Sequence, residues 1–403
     1  MRIAFVCPFG ARAKGTVPAR VLPAARSLAR RGHQVLVLIP PWDSPEDAGR
    51  EEREDGFRVW HLPLPLRSPW GWPALAWRLA REAWASEADV LHFSKPKGFS
   101  GWAHAWAHGR RGASVRPFLA VDSDDWEGPG GWNDLAGYPL WMRGLFAWQE
   151  RWGLRHADLV TVPSRALMAK AQGLGVAPDR ILYLPNALPE DHPALKAAPW
   201  AGGPPGPGRR LLLYSRLWEF DHAWVAQRLA RLSARLSGLE LWIAGRGRPE
   251  HETRWQGALA AEGLAGAIRW LGWVDPSRLP EVAVQVHTAL VPLKDHLVNR
   301  ARFPAKILDL MALGLPIAAD PVGEVPEALA HGEAGLLLPQ EQEAWTEALA
   351  EFLHGQETRL RLGACARARV REAYLWSHWA EVLERSYAAA LESASRASGG
   401  GAT

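Results

Sequence analysis

Residues 2–40 read RIAFVCPFGARAKGTVPARVLPAARSLARRGHQVLVLIP, with a short apolar run on either side of a longer segment. The runs at 2–8 and 34–40 are rich in valine and isoleucine, which favour buried strands. The segment between them has apolar residues at helical spacing. Strand, helix and strand in this order form the βαβ unit of a parallel sheet, so the sequence predicts an α/β protein.

The same alternation continues along the 403-residue chain in two series. The first series predicts further strands at 57–64, 88–94, 117–123, 158–164 and 181–186. The second predicts strands at 211–215, 239–245, 267–274, 287–293, 316–320 and 335–339. Each run is nearly all apolar, as in a sheet covered by helices on both faces. We therefore predict two doubly wound, Rossmann-like domains that face a cleft and bind ligands at the carboxyl ends of their strands.

Proline and glycine interrupt the pattern at residues 196–209, which we interpret as an interdomain linker. The predicted domains are residues 1–195 and residues 210–375. A helix predicted at 376–393 is expected to pack on the N-terminal domain. The low-complexity end of the chain, residues 394–403, is expected to be disordered.

Composition excludes several classes of protein. The net charge is only +4, so a nucleic-acid binder is not indicated. The two cysteines, Cys7 and Cys365, exclude a disulfide framework and a CxxC metal site. The sequence shows no signal peptide and no uncharged run of transmembrane length, so we expect a cytoplasmic protein, at most peripheral at the inner face of the membrane. Scarce asparagine and methionine indicate a heat-adapted or GC-rich source.

The loop after the first strand carries Gly10 and Gly15, and the next helix is predicted to start at residues 16–18. Glycines let main-chain N–H groups approach a phosphate, and a helix N-terminus adds about half a positive charge. The loop has neither GxGxxG spacing nor the GKS or GKT ending of a P-loop. The loop could therefore be a phosphate-binding site or a simple tight turn, and the sequence does not decide between them.

Arg216 follows directly on the predicted strand LLLYS at 211–215. Its planar guanidinium would project from the strand end, where it could hold two oxygens of a diphosphate. The alternative is a surface ion pair with Glu219 or Asp221.

Lys306 and Asp309 lie in the stretch NRARFPAKILDLMALGLP at 299–316, where Pro304 favours the first turn of a helix. A lysine beside the free N–H groups of a helix makes an anion site. A carboxylate one turn later could accept hydrogen bonds from two ribose hydroxyls. The alternative is a weak ion pair between Lys306 and Asp309 on a solvated helix face.

The stretch VDSDDWEGPGGWND at 121–134 contains four clustered carboxylates: Asp122, Asp124, Asp125 and Glu127. They could bind Mg²⁺ or orient sugar hydroxyls, or they could be solvated and cap local turns. We assign no metal site to them. His92 ends the predicted strand ADVLHF and is expected to face the same cleft, as a proton carrier or as a hydrogen-bonded spacer.

Residues 139–156, PLWMRGLFAWQERWGLRH, place four apolar side chains on one helical stripe: Trp141, Leu145, Trp148 and Trp152. Arginines lie elsewhere on the same helix: Arg143, Arg151 and Arg155. Tryptophan together with arginine suits contact with a membrane surface. Packing of the stripe in the protein core is the alternative.

Four motifs in the second half resemble, in order, those of the GT-B glycosyltransferases of group 1, also called family 4: YSRLWEFD (214–221), LELWIAGRGRPE (239–250), IRWLGWVD (268–275) and FPAKILDLMALGLPIAAD (303–320). In the first half, the loop from Gly10 to Gly15 and the runs LARRGHQVLVL, ADVLHF and ADLVTVPSRAL match in kind and order. The resemblance covers nearly the whole chain. It implies a glycosyltransferase that binds a nucleotide-sugar donor in the C-terminal domain and an acceptor in the N-terminal domain.

The resemblance also implies the roles of single residues. Arg216 and Lys306 would neutralise the donor diphosphate, Asp309 would hold the ribose, and Gly245 in the second motif would lie against the donor. A UDP- or GDP-sugar is the expected donor, with no required cofactor or metal and with a retaining transfer. The acceptor is open between a glycan, a glycolipid and a small molecule. Asp124 joins His92 as a further catalytic candidate.

The chain departs from the family pattern at two positions. Ala301 stands where the family commonly has a glutamate that contacts the donor sugar, and His222 stands where it usually has a lysine near the diphosphate. We hypothesise that one of four nearby residues contacts the sugar instead: Asp295, His296, Asn299 or Arg302. The alternatives to a glycosyltransferase are a nucleotide-sugar epimerase of the same architecture and a non-catalytic binding or partner protein.

Overall fold

The chain folds into two compact units. The computed structural model describes residues 1–12, 15–65, 71–112, 117–206 and 208–399, with side chains as far as residue 392. Unit 1 comprises Met1–Pro189 and the C-terminal segment from Trp376, and unit 2 comprises Glu190–Leu375.

The segment predicted as a linker, residues 196–209, falls within unit 2. Its Trp200 is buried there. The indole of Trp200 donates a hydrogen bond to the Val286 carbonyl at 2.9 Å, and its main-chain N–H donates to the Leu313 carbonyl at 2.9 Å. Tertiary contacts therefore hold this proline- and glycine-rich segment on the unit 2 core.

Unit 1 is built on one sheet, whose described strands are β1 (Arg2–Val6), β2 (Gln34–Ile39), β3 (Glu51–Glu54), β4 (Phe57–His61), β5 (Val90–Ser94), β6 (Phe118–Asp122), β7 (Leu159–Val162) and β8 (Ile181–Tyr183). Their order is β3-β4-β2-β1-β5-β6-β7-β8. All neighbours are parallel except β3, which pairs antiparallel with β4 at the edge. The sequence EERE of β3 gave no apolar signal, and charged residues suit an edge strand because they discourage pairing with another chain.

Unit 2 has a second sheet, whose described strands are β9 (Arg209–Tyr214), β10 (Leu239–Ala244), β11 (Ile268–Gly272), β12 (Thr288–Val291), β13 (Ile317–Ala319) and β14 (Leu336–Leu337). They are all parallel, in the order β11-β10-β9-β12-β13-β14. The order reverses at β9, as it does at β1 in unit 1, and this reversal defines a doubly wound sheet. The predicted α/β class with two Rossmann-like sheets is confirmed.

The described α-helices are, in chain order, α1 (Leu22–Arg30), α2 (Gly71–Ala85), α3 (Gly98–Arg111), α4 (Trp132–Leu135), α5 (Leu140–His156), α6 (Arg165–Gly173), α7 (Pro193–Lys196), α8 (His222–Arg235), α9 (Pro249–Ala261), α10 (Leu279–Ala283), α11 (Leu297–Ala301), α12 (Ala305–Ala312), α13 (Val325–Ala328), α14 (Gln342–His354), α15 (Gln356–Ala373) and α16 (Trp376–Gly399). A π-helical segment, Val17–Val21, leads directly into α1. Residues 394–399, predicted as part of a disordered tail, are helical, and residues 400–403 lie outside the described residues.

The two faces of the unit 1 sheet carry different helices. The crossovers from β4 to β5, β6 and β7 all move the same way across the sheet, so right-handed connections place α2, α3 and α5 on one face. The crossover from β1 to β2 runs the other way and places α1 on the opposite face, where α16 packs against it. Four side chains of α16 are fully buried in the unit 1 core: Trp376, Ala380, Leu383 and Tyr387.

Candidate functional site

The loop after β9 wraps around a buried carboxylate. Glu219 is 6% exposed, and its carboxylate accepts hydrogen bonds from the main-chain N–H of Arg216, at 3.0 Å, and from the Ser215 hydroxyl. The Ser215 hydroxyl in turn accepts the N–H of Leu217 at 2.9 Å. Leu217 adopts a left-handed conformation with φ 65°, which is costly for a residue other than glycine and is held here by its surroundings. The loop is therefore ordered by its own polar groups, which leaves the side chain of Arg216 exposed.

Glu219 pairs with Arg302 and not with the guanidinium of Arg216. A guanidinium nitrogen of Arg302 lies 3.5 Å from a carboxylate oxygen of Glu219, and the rest of the group stacks on Trp218 at 4.6 Å. Burial works to raise the pKa of Glu219, but Lys306 and Arg302 together with the hydrogen bonds lower it overall. The alternative of an Arg216–Glu219 side-chain ion pair is wrong, because the contact to Arg216 goes through its main chain.

Lys306 and Asp309 lie on the first two turns of α12, but they do not pair with each other. The ammonium of Lys306 lies 4.9 Å from the centroid of the Tyr214 ring. Burial, with Arg216 and Arg302 nearby, lowers the pKa of Lys306 to about 8. Burial also raises the pKa of Asp309 to about 7. The surface ion pair considered from the sequence is therefore wrong, and both groups titrate close to neutral pH.

His192 is a partner of Asp309 that the sequence did not indicate. Its Nε2 lies 3.5 Å from a carboxylate oxygen of Asp309. Its Nδ1 accepts the N–H of Ala194 at 3.3 Å at the start of α7, so Nε2 carries the proton in the neutral ring. The histidine stands in a short helix-capping segment and had no motif to mark it.

Gly245 brings the end of β10 against the loop after β9. Its φ of 126° is unfavourable for residues with a side chain. A Cβ at this position would lie 2.0 Å from the Ser215 carbonyl oxygen. The glycine predicted to lie against the donor is therefore required where the two strand ends meet.

Three of the four residues proposed to replace the missing glutamate hold their own loop together. Asn299 is buried, and its side-chain amide donates to the carbonyls of Glu219 at 2.7 Å and Lys294 at 2.8 Å. His296 accepts the main-chain N–H of Asn299 at 3.2 Å, while Asp295 pairs with Arg300. Arg302 is the fourth, and it joins the Glu219 cluster.

The two positions that depart from the family pattern are both packed. Ala301 is fully buried. His222 is the first residue of α8, and its Nε2 lies 2.5 Å from the Leu217 carbonyl oxygen, so it donates a hydrogen bond that braces the strained loop. In this structure His222 supports the loop carrying Arg216.

The acidic stretch after β6 surrounds a buried lysine in unit 1. Lys95 forms ion pairs with Asp124 at 3.0 Å, Asp125 at 2.7 Å and Glu127 at 3.4 Å. Burial opposes the charge on Lys95, but the carboxylates raise its pKa overall. Asp124 also accepts the hydroxyl of Thr16 at 3.0 Å, and burial raises its pKa to about 6 against the lowering effect of Lys95. Asp124 therefore links this cluster to the start of the first helix.

Asp122, the first carboxylate of that stretch, has a structural partner. Arg20 donates two hydrogen bonds of 2.7 Å to the Asp122 carboxylate, and the Thr161 hydroxyl donates a third at 2.6 Å. Arg20 also donates to the Leu184 carbonyl at 2.9 Å. This buried contact between Arg20 and Asp122 joins the ends of β6, β7 and β8. The sequence analysis did not predict it.

His92 does not stand at a strand end. It is the central residue of β5, it is buried, and its Nδ1 lies 2.5 Å from the hydroxyl of Tyr387 on α16. Burial lowers the pKa of His92 to about 4, so the ring is neutral. The expectation of a cleft-facing histidine is wrong, because the pleat points its side chain at the helix packed on the sheet.

Gly10 and Gly15 both shape the loop after β1. The N–H of Gly10 donates to the Asp43 carboxylate at 2.7 Å, and a Cβ there would lie 2.2 Å from the Ser44 hydroxyl. The Gly15 carbonyl accepts the N–H of Ala19 in the first helical turn. Residues 13–14 between them lie outside the described residues.

None of the described helices combines the length and apolar character needed to cross a bilayer. Within the same described ranges, no group of three or more histidine, cysteine or carboxylate side chains is placed to hold a metal ion.

The chain combines two doubly wound sheets, a glycine contact between strand ends and a cluster of cations at the start of a helix, as expected for a GT-B glycosyltransferase. Residues 15–187 match the model of the glycosyl transferase 4-like domain, and residues 208–355 match that of the glycosyl transferases group 1. The chain belongs to this family of GT-B glycosyltransferases. The family resemblance seen in the sequence motifs is confirmed.

Known proteins resemble the chain over nearly its full length. A phosphatidyl-myo-inositol mannosyltransferase of Mycobacterium leprae is 26% identical, over 98% of this chain and 99% of that protein. Sucrose-phosphate synthase from Thermosynechococcus elongatus superposes with a TM-score of 0.71 at 18% identity, covering 97% of this chain and 99% of the other. Anabaena HepE, solved in complex with UDP-glucose, gives a TM-score of 0.68 at 14% identity, covering 96% and 100%.

Proposed function

We propose that this glycosyltransferase moves a sugar from a UDP- or GDP-sugar to the hydroxyl of an acceptor, with the donor bound by unit 2 and the acceptor by unit 1. The observation that carries the proposal is the cluster in unit 2: Arg216 is exposed above a loop ordered by Glu219, and Lys306 and Arg302 lie beside the same carboxylate. The complex of HepE with UDP-glucose supports a nucleotide-sugar donor.

The reaction breaks the bond between the anomeric carbon and the diphosphate oxygen and forms a bond to the acceptor oxygen. Negative charge therefore builds on the diphosphate in the transition state, where fixed positive groups stabilise it most. Arg216 offers a two-pronged contact and Lys306 a single ammonium. Asp309, steered by His192, would accept the ribose hydroxyls. With this positive charge in place, the diphosphate can leave without a metal ion. The resemblance to the family favours a retaining transfer.

On the acceptor side, Asp124 is the residue that we propose acts on the acceptor hydroxyl. Its raised pKa suits a group that must take up a proton during transfer. Lys95 holds it at 3.0 Å and balances its charge. The acceptor stays open between a glycan, a glycolipid and a small molecule.

A thermal-shift panel with UDP, GDP, ADP, TDP and their sugars tests the donor site. A ligand at a hundred times its dissociation constant stabilises the folded state by about 2.7 kcal/mol, which is a readily measured shift. Arg216→Ala and Lys306→Ala are expected to abolish the shift because each removes a diphosphate contact. Arg254→Ala changes an exposed arginine of α9 and serves as the control that keeps the response.

If Arg216→Ala and Lys306→Ala both respond like the parent protein, the diphosphate site lies elsewhere. Binding should be accompanied by release of UDP or GDP when acceptor is supplied. Conversion of the donor to another nucleotide-sugar with no acceptor present would instead show an epimerase, and binding without turnover across a broad acceptor panel would show a non-catalytic protein.

A further inference from the structure

One helical layer of unit 1 leaves large apolar side chains in solvent. Helices α2, α3 and α5 lie on the same face of the sheet, with α2 packed on α3 and α3 on α5. Their exposed apolar residues, called the tryptophan surface below, are Trp72, Trp77, Trp102, Leu140, Trp141 and Trp148. Exposure ranges from 42% for Trp148 to 80% for Leu140. A contiguous exposed patch of this kind marks an interaction site more often than chance.

Aromatic contacts link the three helices. The rings of Trp102 on α3 and Trp148 on α5 are 6.1 Å apart. Trp72 on α2 stacks on Phe99 of α3 at 5.4 Å. Ring contacts therefore join α2 to α3 through the buried Phe99, and α3 to α5 through two exposed tryptophans.

Helix α5 buries Gln149 and Glu150 beside Phe146 and Leu154, and it exposes Trp141 and Trp148. Gln149 and Glu150 are buried and satisfied: Gln149 accepts the N–H of Gly98 at 2.8 Å, and Glu150 accepts the N–H of Glu127 at 3.0 Å. Trp141, by contrast, is 68% exposed. Core packing is thus the wrong explanation for Trp141 and Trp148. Because α5 buries a glutamate while two of its tryptophans are exposed, we expect the solvent-facing side of α5 to bind a partner.

Three of the five tryptophans lie towards the same edge of the sheet as the candidate acceptor loops. In a parallel sheet each crossover helix begins at the carboxyl edge of the strands. Trp72, Trp102 and Trp141 occupy the first two turns of their helices and so lie near this edge. The loops that carry Lys95 and Asp124 leave β5 and β6 at the same edge.

The surface carries positive charge. Within their bounds, α2, α3 and α5 contain seven arginines and two glutamates. Three of the arginines pair with carboxylates: Arg81 with Glu82, Arg111 with Asp158 and Arg143 with Asp134. Arg151 and Arg155 are exposed, and their hydrogen bonds go to the carbonyls of Ala147 and Leu174, which leave the positive charge unneutralised. Tryptophan at an interface with arginine at its border suits anionic lipid headgroups.

We propose that the tryptophan surface binds the anionic lipid face of a membrane, with the tryptophans in the headgroup region and the arginines on phosphates. A second copy of the chain fits less well, because a two-fold contact would bring the same arginines against each other. The proposal extends the proposed function, on which it rests for the acceptor: it would present the acceptor loops of unit 1 to molecules held in the lipid. Vesicle binding itself requires no donor, so it can fail independently of sugar transfer.

Flotation with vesicles tests the proposal on the full-length protein. Vesicles of phosphatidylcholine with phosphatidylglycerol are expected to bind the protein, and pure phosphatidylcholine vesicles are expected to bind it at least about tenfold more weakly, since each basic residue near an anionic surface contributes. Trp77→Ser combined with Trp141→Ser should weaken binding at least about tenfold. Trp273→Ser, which changes a 62% exposed tryptophan of unit 2, is the matched control and should bind like the parent.

Arg151→Gln with Arg155→Gln should weaken binding to anionic vesicles and reduce its salt dependence. Unchanged melting of each variant shows that the fold is kept. The proposal is overturned if the parent protein does not float with anionic vesicles, or if Trp273→Ser weakens binding as much as the double tryptophan variant. It is also overturned if sedimentation shows a dimer that Trp141→Ser dissociates, since a second copy then covers the surface.

Discussion

At the scale of single residues, Lys306 and Asp309 decide how donor binding responds to pH. The pKa of Lys306 is lowered to about 8 and that of Asp309 is raised to about 7, in each case chiefly by burial. In the free protein Lys306 therefore loses its proton as the pH rises through 8, and Asp309 gains one as the pH falls through 7. Lys306 and Asp309 therefore both carry the charges proposed for donor binding only between about pH 7 and pH 8.

We expect the dissociation constant of UDP or GDP to be lowest between about pH 7 and 8 and to rise on both sides, approaching tenfold per pH unit. Calorimetric titration across pH 5 to 10 measures this. Lys306→Arg should remove the rise at high pH, because arginine keeps its charge. Asp309→Asn should remove the rise at low pH. If Lys306→Arg keeps the high-pH rise, another group titrates there.

A substitution at Glu219 gives a second test of whether Lys306 causes the rise at high pH. Its negative charge helps to keep Lys306 protonated. Glu219→Gln should therefore move the high-pH rise of the dissociation constant to lower pH. A purely structural role for Glu219 would weaken binding equally at every pH.

At the scale of elements, the contact between the ends of β9 and β10 sets the loop that carries Arg216. Gly245→Ala would place a methyl group 2.0 Å from the Ser215 carbonyl oxygen and would force φ 126° on an alanine. We expect a loss of about 1–3 kcal/mol in the free energy of unfolding and a weaker thermal shift with nucleotide. Denaturant titration and the ligand panel measure the two effects.

Gly257→Ala is the matched control. Gly257 is exposed in the middle of α9, and no atom lies within 4 Å of a Cβ built there. This change should stabilise by about 0.5–1 kcal/mol, since alanine favours a helix over glycine. A Gly245→Ala variant that behaved like it would show that the strand ends have room to move apart.

At the scale of the whole molecule, the last helix of the chain completes the core of the first unit. Tyr387 of α16 is fully buried and meets His92 in the centre of the sheet. Tyr387→Ala should cost about 3–5 kcal/mol through the cavity that it leaves. Tyr387→Phe should cost about 1–3 kcal/mol because His92 loses its partner.

Denaturant unfolding of unit 1 checks both values. His378→Ala changes an exposed residue of the same helix and should stay within about 0.5 kcal/mol of the parent. If Tyr387→Ala were equally mild, the helix would not contribute to the stability of unit 1. The buried histidine was misread from the sequence because a strand residue can face either side, and only the helix packed on the sheet decides which side is closed.

The sequence by itself determined the two series of strands and helices, because period and apolar content are local properties that each segment carries whatever its neighbours are. It also marked Arg216, Lys306, Asp309 and Gly245, since each stands in a motif. Tertiary structure alone decided the partners: His192 on Asp309, Lys95 among the carboxylates, Arg302 on Glu219. These contacts join residues far apart in the chain, and burial then shifts their pKa values. The outward turn of α5 was likewise decided in three dimensions, because its buried Gln149 and Glu150 find hydrogen-bond partners only on neighbouring segments of the fold.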